Sequence, residues 1–236
     1  MKNRRIWELD AFRGLCVLGM VIVHFVYDLT DMFALVKWNY PDWFEFVMLW
    51  GGVLFLLLSG ICVTLGHHPI RRGLIVLGCG IAVSAVTVVL WKYFDFHKSI
   101  IIYFGVLHCL GCCMILWPLM KKLPFWVLLP IGLALVLLGF YIDGIDAPMD
   151  WMVILGFRLR GFWSSDYFPL VQNLGFFLMG AGLGKLLYRS KKSLLPKVND
   201  RFFLLRFLQF CGRHSLWIYM LHQPVLAGFC LLLTML

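Results

Sequence analysis

Charged side chains are scarce in this chain, and acidic ones are the scarcest. Asp, Glu, Lys and Arg make up 14% of the 236 residues, with 12 acidic against 21 basic side chains. A soluble domain carries about a quarter charged residues, so this composition excludes an ordinary soluble fold. Hydrophobic residues instead make up 62% of the chain, in runs about as long as the ~20 residues that cross a bilayer core. The sequence therefore predicts a multi-pass membrane protein.

Features that would indicate other classes are also missing. No cleavable signal peptide is evident, because the first apolar run contains Arg13 and His24 and no small-residue cleavage pattern follows it. Most of the eight cysteines fall inside apolar runs, so we expect no disulfide framework. The stretch HCLGCC offers one two-ligand pair on a helix, His108 and Cys112, so we expect no metal there. Because no repeat or linker divides the chain, we predict a single domain over 1–236.

The apolar runs predict an all-α, multi-pass transmembrane helix bundle with about seven spans. The expected spans are 10–29, 43–65, 72–91, 100–119, 125–142, 167–188 and 213–235. Two shorter stretches, 151–163 and 201–210, mix bulky apolar residues with arginines. Each of them is either an element lying at the lipid headgroups or a loop packed on the bundle.

Basic residues are distributed unevenly between the two sides of these spans. With the N-terminus in the cytoplasm, fifteen Lys and Arg fall inside and five fall outside. Because basic loops stay in the cytoplasm, we predict that the N-terminus is inside and the C-terminus outside. The net charge of +9 therefore indicates membrane orientation and attraction to membrane lipid. It gives no reason to expect nucleic acid as a partner.

Ionisable residues interrupt the first apolar run. Arg13 and His24 are eleven positions apart, so on a helix they share one face, about 16 Å apart along the axis. Asp10 lies one turn before Arg13, and Asp28 follows His24 by four residues, within reach of its imidazole. Such groups are costly in a membrane and usually face a bundle interior or a water-filled cavity. The simpler alternatives are an Asp10–Arg13 pair at the interface, a loop acid at Asp28 and a structural histidine at His24.

Two other apolar runs carry histidines at membrane depth. His108 lies in the middle of the fourth run, and His222 lies in the last. Ser215 is seven residues before His222 and shares its helix face, with Tyr219 one turn from the histidine. Three histidines on three spans predict a converging polar site.

The residues alone leave several classes of function open for such a site. A proton-coupled secondary transporter would use His24, His108 and His222 to carry protons, although the paired halves with interrupted helices typical of transporters are not seen. A haem protein would use histidines as axial ligands. An enzyme would use them as acids, bases or hydrogen-bond donors.

Four blocks of the sequence resemble a known group of membrane enzymes. Arg13 and His24 match the arginine, ten residues, histidine pattern in the first helix of membrane acyltransferases of the acyltransferase-3 kind. The blocks are RIWELDAFRGLCVLGMVIVHFVYDL at 5–29, FGVLHCLG at 104–111, DYFPLVQNLGFFLMGAGLG at 166–184 and GRHSLWIYMLHQPV at 212–225. In this order they are similar to small bacterial relatives of the heparan-α-glucosaminide N-acetyltransferase catalytic domain.

The resemblance implies a transmembrane acyltransferase in a bacterial plasma membrane. Such enzymes take an acyl group, commonly acetyl, from cytoplasmic acyl-CoA and deliver it to a hydroxyl or amine, often on a sugar, at the other face. The family's histidine maps onto His24 and its arginine onto Arg13. The lysosomal enzyme of this family instead uses a histidine just beyond the first helix of its catalytic domain. The corresponding loop at 30–42 contains no histidine here, a departure that leaves His24 as the candidate base. The resemblance leaves formation of a homo-oligomer open, and it implies no metal.

Physical reasoning assigns roles that fit this resemblance. The basic cytoplasmic face would attract the phosphates of acyl-CoA, and Arg13 with Arg213 would bind the phosphates or the pantetheine amides. His24 would act as general base, with Asp28 holding its imidazole. Attack by His24 itself, which gives an acyl-imidazole, stays open.

The remaining contacts are expected from polar residues on several spans. The oxyanion of the transition state needs a donor, for which His108, Tyr219 and His222 are the candidates. At the outer end of the sixth span, Asp166 either meets the acceptor or caps the helix. Substrate or oxyanion contacts are expected among Asp10, His108, Asp166, Gln172, Asn173, Ser215, Tyr219 and His222.

Overall fold

A computed structural model describes residues 6–94, 96–196, 198 and 202–235. Over these ranges the chain forms eight α-helices and no β-strand. They are α1 (Trp7–Tyr27), α2 (Asp42–Leu65), α3 (Pro69–Tyr93), α4 (Val106–Met120), α5 (Phe125–Asp143), α6 (Leu170–Leu187), α7 (Phe203–Arg213) and α8 (Ser215–Thr234). The predicted all-α class is confirmed.

Six of the described helices are long and apolar enough to cross a membrane. They are α1 with the π-helical segment Asp28–Met32 that continues it, and α2, α3, α5, α6 and α8. The predicted multi-pass helical membrane protein is therefore confirmed. The fourth predicted span, 100–119, corresponds to α4, which has 15 residues. The orientation stays a prediction, and five of its basic residues lie outside the described ranges: Lys2, Arg4, Arg5, Lys197 and Arg201.

The fourth helix begins at Val106 and not at residue 100 as predicted. The reason is that side chains of α3 hold the preceding segment extended. The Ser84 hydroxyl donates to the Ile102 carbonyl at 2.6 Å, and the Thr87 hydroxyl accepts from the Ile102 N–H at 3.2 Å. These bonds replace the helical bonds that the backbone of Ile102 would otherwise make.

The two stretches of uncertain character differ from each other. The one predicted at 201–210, whose first residue Arg201 is not described, forms α7. Bulky side chains on this helix are exposed while Gln209, Cys211 and Gly212 are buried. The stretch at 151–163 instead begins within a short 3-10 helix, Asp150–Leu155. Its position at the lipid headgroups stays a prediction.

A half-buried tyrosine holds the short 3-10 helix in place. The Tyr167 hydroxyl donates to the Val153 carbonyl at 2.5 Å. Burial, with a smaller contribution from the Asp143 carboxylate, raises the pKa of Tyr167 to about 12. Tyr167 therefore stays protonated, and a hydrogen-bond donor, at all physiological pH values.

The chain divides into two compact units. Unit 1 comprises Met1–Phe55 and Lys191–Leu236, and unit 2 comprises Leu56–Ser190. Unit 1 therefore holds α1, α7 and α8 with the first part of α2, and unit 2 holds the rest of α2 with α3 to α6. The prediction of a single domain over 1–236 stays a prediction.

Within unit 1, α1 packs closely on α7 through a pair of glycines. A Cβ at Gly14 would overlap the backbone carbonyl of Leu208, and a Cβ at Gly212 would overlap the carbonyl of Asp10. Small residues let two helix backbones approach within van der Waals distance, which is how helices associate where the hydrophobic effect is weak. This contact fixes the first half of α1, which carries Asp10 and Arg13.

Within unit 2, facing glycines also allow close packing in two helix pairs, α5 with α6 and α3 with α4. Gly132 of α5 faces Gly175 of α6, and a Cβ on either would lie under 3 Å from the other's carbonyl oxygen. Gly73 of α3 and Gly111 of α4 face each other in the same way. Close backbone packing therefore joins α5 to α6 and α3 to α4.

Candidate active site

Two histidines from distant parts of the sequence meet in unit 1. The ring centroids of His24 on α1 and His222 on α8 are 4.9 Å apart, with an angle of 85° between the ring planes. His24 Nδ1 lies 2.9 Å from the Met20 carbonyl oxygen, and His222 Nδ1 lies 2.5 Å from that of Tyr219. Of the three histidines predicted to converge, His24 and His222 are thus in ring contact within unit 1.

The backbone partners determine which nitrogen carries the proton in each neutral ring. A carbonyl oxygen can only accept, so Nδ1 must be the donor in both His24 and His222. Their Nε2 atoms are then unprotonated and present lone pairs. An imidazole fixed in this way is ready to take a proton through Nε2.

Asp28 lies beside this pair but is bonded to a different residue. Its side chain is 0% exposed, and both carboxylate oxygens accept from Gln223 Nε2, at 2.8 and 3.0 Å. The prediction that Asp28 holds the His24 imidazole therefore differs from the structure, in which the Met20 carbonyl does so. Asp28 keeps α-helical backbone geometry relative to His24, but both of its carboxylate oxygens bind Gln223 and the Nδ1 of His24 binds Met20.

Two acceptor atoms in this region are buried without a donor. His222 Nε2 and Gln223 Oε1 make no hydrogen bond with any residue that the structure describes. Unpaired polar atoms in a low-dielectric interior are costly and commonly mark a site where a ligand or water binds. Both atoms require a hydrogen-bond donor, which a hydroxyl or amine supplies. We call His24, Asp28, His222 and Gln223 the histidine cluster.

The Asp28–Gln223 bond leads to a stability prediction. Replacing Gln223 with leucine leaves a fully buried carboxylate without its donor, so we expect Gln223→Leu to lower the free energy of unfolding by about 2 to 3 kcal/mol. The loss is measured as a reduced midpoint of denaturant or thermal unfolding in detergent. The double variant Asp28→Leu/Gln223→Leu removes both partners and should recover most of the loss. Additive losses in the double variant would contradict a direct interaction.

The basic residues near the N-terminal half of α1 do not form the Asp10–Arg13 pair that was the simpler alternative. Asp10 makes its ion pair with Arg213, Nε to Oδ2 at 3.4 Å, and not with Arg13. Arg213 also donates to Gln209 Oε1 at 3.0 Å. Arg13 is half-buried and makes no hydrogen bond or ion pair with the part of the chain that is described. Unlike the guanidinium of Arg213, that of Arg13 can therefore bind an anion without first breaking an ion pair with a carboxylate.

The other predicted residues of α8 differ in their relation to the cluster. The Tyr219 ring lies 5.4 Å from the His222 ring, centroid to centroid, so it borders the cluster. Ser215 is the first residue of α8, about 10 Å before His222 along the axis. It shares the helix face but lies outside the cluster.

His108, in unit 2, is hydrogen-bonded through both ring nitrogens. Nδ1 accepts from the Gly105 N–H at 3.2 Å, which leaves the proton on Nε2. Nε2 then donates to the Ser84 hydroxyl at 3.3 Å, and that hydroxyl donates onward to the Ile102 carbonyl. These bonds tie the start of α4 to α3, so the described contacts of His108 are structural ones. Convergence of all three histidines stays a prediction.

Asp166 caps a helix, but not the one predicted. Its Oδ2 accepts from the Val106 N–H at 3.1 Å, at the N-terminus of α4 rather than of α6. A Cβ at Gly105 would overlap the same carboxylate. The negative charge is favourable there because the N-terminus of a helix carries partial positive charge.

The two amide side chains at the start of α6, Gln172 and Asn173, both have contacts within unit 2. Asn173 is buried, and its Nδ2 donates to the Pro169 carbonyl at 2.8 Å, which ties down the first turn. Gln172 packs beside Gly139 of α5, where a Cβ would overlap it. Contacts of Asp166, Gln172 and Asn173 with an acceptor stay predictions.

Sequence reasoning missed three polar contacts that the structure contains. Gln223 is the donor to Asp28. The only sequence pattern that includes Gln223 is its i+4 spacing from Tyr219. Ser84 links two helices, with no signal beyond its being a hydroxyl in an apolar run. Glu8 accepts from the Ser193 hydroxyl at 2.9 Å and the Leu194 N–H at 2.8 Å. These partners are 185 residues or more from Glu8 in the chain, so no local sequence pattern predicts the contact.

Residues 5–224 match the family described as heparan-alpha-glucosaminide N-acetyltransferase, catalytic. No curated protein and no solved structure matched the chain. The match covers α1 to α6, α7 and the first half of α8, and it includes every member of the histidine cluster. Because the matched region is nearly the whole chain, this protein belongs to the family of the heparan-α-glucosaminide N-acetyltransferase catalytic domain.

Proposed function

We propose that this membrane acetyltransferase takes its acetyl group from acetyl-CoA on the cytoplasmic side and transfers it to a hydroxyl or amine of a sugar-containing acceptor, with His24 as general base. The observation that carries the proposal is the fixed orientation of His24, whose Nδ1–H is bound by a backbone carbonyl so that Nε2 presents its lone pair. The test is transfer of labelled acetyl from acetyl-CoA by purified protein to a panel of sugars and amino sugars, with His24→Ala as the paired variant.

The proposed reaction balances through one histidine. His24 Nε2 takes the proton of the acceptor's hydroxyl or amine as the acceptor's oxygen or nitrogen bonds to the thioester carbonyl carbon. The carbon–sulfur bond then breaks, and the CoA thiolate leaves with the proton from the His24 imidazolium. In the alternative, Nε2 itself attacks the thioester carbonyl carbon and the CoA thiolate leaves. The acceptor then attacks the acyl-imidazole, the carbon–nitrogen bond to Nε2 breaks, and the acceptor's proton passes to the released CoA thiolate.

The hydrogen bonds of the cluster support different roles for its other members. In its neutral form, His222 presents a lone pair at Nε2. It can therefore accept a hydrogen bond from the nucleophile, but it cannot donate one to the oxyanion through that atom. His108 donates its only ring N–H to Ser84. Tyr219 is assigned as oxyanion donor because its ring borders the cluster, 5.4 Å from that of His222. The buried Asp28 carboxylate, near His24, would stabilise the imidazolium during transfer.

The proposal assigns acyl-CoA binding to the basic end of α1. Arg13 shares the first helix with His24, about 16 Å away along the axis, a distance that a pantetheine arm can bridge. Arg213 is already paired with Asp10 and would contribute by orienting that end of the site.

The role of Arg13 predicts a binding defect. We expect Arg13→Ala to weaken acetyl-CoA binding by about 10-fold to 100-fold, the value of one charge-assisted hydrogen bond to a phosphate or amide. The measurement is calorimetric titration of detergent-purified protein, with transfer rates at saturating acetyl-CoA expected to change much less. The matched control is Arg206→Ala, which removes an exposed arginine of the same unit. Equal weakening by both variants would indicate general charge attraction, and an unchanged dissociation constant in Arg13→Ala would contradict the assignment.

The transporter and haem hypotheses have no support from the family match. The family is one of acetyltransferases, and the fixed imidazole of His24 suits proton removal from a bound nucleophile. Acetyl-CoA-dependent transfer without ion flux is the result that the proposal expects.

A further inference from the structure

A groove at one end of unit 2 has a basic rim and apolar walls. It lies between the start of α3 and the end of α4, with a volume of about 800 Å³. The lining includes His68, Arg71 and Lys121 at the rim, and Leu74, Ile75 and Pro118 along the walls. None of these residues belongs to the histidine cluster or to the acyl-CoA site proposed above.

The basic and apolar parts of the groove are separated along its depth. α3 and α4 are antiparallel, since Gly73 faces Gly111 while the later Gly80 faces the earlier His108. On α3, Leu74 and Ile75 follow Arg71 by one turn and share its face. On α4, Pro118 precedes Lys121 by one turn. Both helices therefore carry charge at their ends and apolar surface one turn further into the hydrophobic segment.

The charge of the groove has no acidic counterpart nearby in the sequence. No Asp or Glu occurs between Glu45 and Asp95, or between Asp95 and Asp143. Over the described residues, the side chains of Arg71 and Lys121 make no hydrogen bond or ion pair. Leu74 and Ile75 are 57% and 52% exposed. The groove thus presents unneutralised positive charge next to uncovered apolar surface.

We propose that this groove binds an anionic glycerophospholipid, with the headgroup phosphate at Arg71 and Lys121 and an acyl chain along Leu74 and Ile75. Charge complementarity selects an anionic headgroup, because a basic pocket between transmembrane helices favours such lipids. The apolar walls select an amphipathic ligand over a free phosphate, which would gain nothing from them. The positive-inside prediction places this end of unit 2 at the cytoplasmic leaflet. The inference is independent of the proposed acetyl transfer.

The test compares phosphatidylglycerol with phosphatidylcholine, added to the full-length protein in detergent. Native mass spectrometry counts retained lipids, and thermal unfolding reports their effect on stability. We expect phosphatidylglycerol to be retained and to raise the unfolding temperature, and phosphatidylcholine to do neither. In Arg71→Gln/Lys121→Gln we expect binding to weaken about 25-fold, since each basic side chain near a lipid phosphate contributes about fivefold. Either single variant should lose about fivefold, which keeps the test available if the double variant does not fold.

Two controls separate a site from diffuse attraction. Lys122→Gln/Arg189→Gln removes two exposed basic residues of unit 2 that do not line the groove, and it should bind phosphatidylglycerol as the original protein does. The charge-conserving variant Arg71→Lys/Lys121→Arg should also retain binding.

Three results would overturn the proposal. The first is equal binding of the two lipids, and the second is equal weakening by both double glutamine variants. The third is displacement of phosphatidylglycerol by acetyl-CoA or by inorganic phosphate, because the groove would then serve a soluble phosphate and not a lipid. Loss of acetyl transfer in His24→Ala has no bearing on any of these outcomes.

Discussion

Replacing His24 with alanine is expected to abolish acetyl transfer while the protein stays folded and still binds acetyl-CoA. A general base accelerates such reactions by about 10²-fold to 10⁴-fold, and a histidine nucleophile would be worth more, since no other step could replace it. The loss should appear in the turnover number and not in the dissociation constant for acetyl-CoA, because the proposed binding groups lie about 16 Å away along α1. The measurement is the transfer rate at saturating acetyl-CoA, together with a calorimetric titration of the same sample.

The control for this substitution is His67→Ala, which removes an exposed histidine from the α2–α3 loop. It should transfer acetyl at the original rate. Full activity in His24→Ala would refute the proposed role, whereas loss of activity together with loss of acetyl-CoA binding would indicate a damaged fold. Protein mixed with acetyl-CoA alone distinguishes the two routes, because only attack by His24 leaves an acetyl group on its imidazole.

The second large effect is expected from the contact between α1 and α7. A Cβ at Gly14 would overlap the Leu208 carbonyl oxygen, which belongs to the backbone and cannot rotate away. Gly14→Ala should therefore force the two helices apart, at a cost of about 3 kcal/mol or more. For a chain of this size, that corresponds to a fall of about 6 to 12 °C in the unfolding temperature. The change is measured by thermal unfolding in detergent.

The same helix offers a matched control for this prediction. A Cβ at Gly19 would meet nothing within 4 Å, so Gly19→Ala changes the same residue type on α1 without an overlap. It should leave the unfolding temperature unchanged or raise it slightly, because alanine is the better helix former. Equal stability of Gly14→Ala and Gly19→Ala would mean that α1 and α7 do not pack as described.

The agreement between sequence and structure is greatest where the signal is local. The second span is predicted at 43–65 and observed at Asp42–Leu65, and the fifth is predicted at 125–142 and observed at Phe125–Asp143. In both, an uninterrupted apolar run decides the outcome, because a backbone in lipid must satisfy its own hydrogen bonds and a helix does so within the run. The start of α4 is harder, because α3 side chains bind the backbone of Ile102 and delay the helix.

In the histidine cluster, helical spacing predicts some of the contacts and misses others. Spacing placed Arg13 and His24 on one face of α1, and the residue types predicted that His24, His108 and His222 converge, of which His24 and His222 are in ring contact. It did not identify the partner of Asp28, because the donor, Gln223, lies on a different helix, 195 residues away in the chain. The pairing of Asp10 with Arg213 instead of Arg13 has the same origin, since α7 brings a competing guanidinium.

By itself, the sequence determined that this protein is a multi-pass helical membrane protein of the acetyltransferase kind, with His24 as its candidate base. The membrane class depends on run length and residue type, which are local properties of the chain, whereas the acetyltransferase kind and the role of His24 are what the resemblance of the four sequence blocks to the family implies. The tertiary structure alone decided which nitrogen of His24 is free, which residue binds Asp28, and that Asp166 and His108 fasten the start of α4. Those outcomes depend on which helix ends and side chains become neighbours, and that is settled by packing between segments far apart in the sequence, as at Gly14 and Gly212, where two backbones touch.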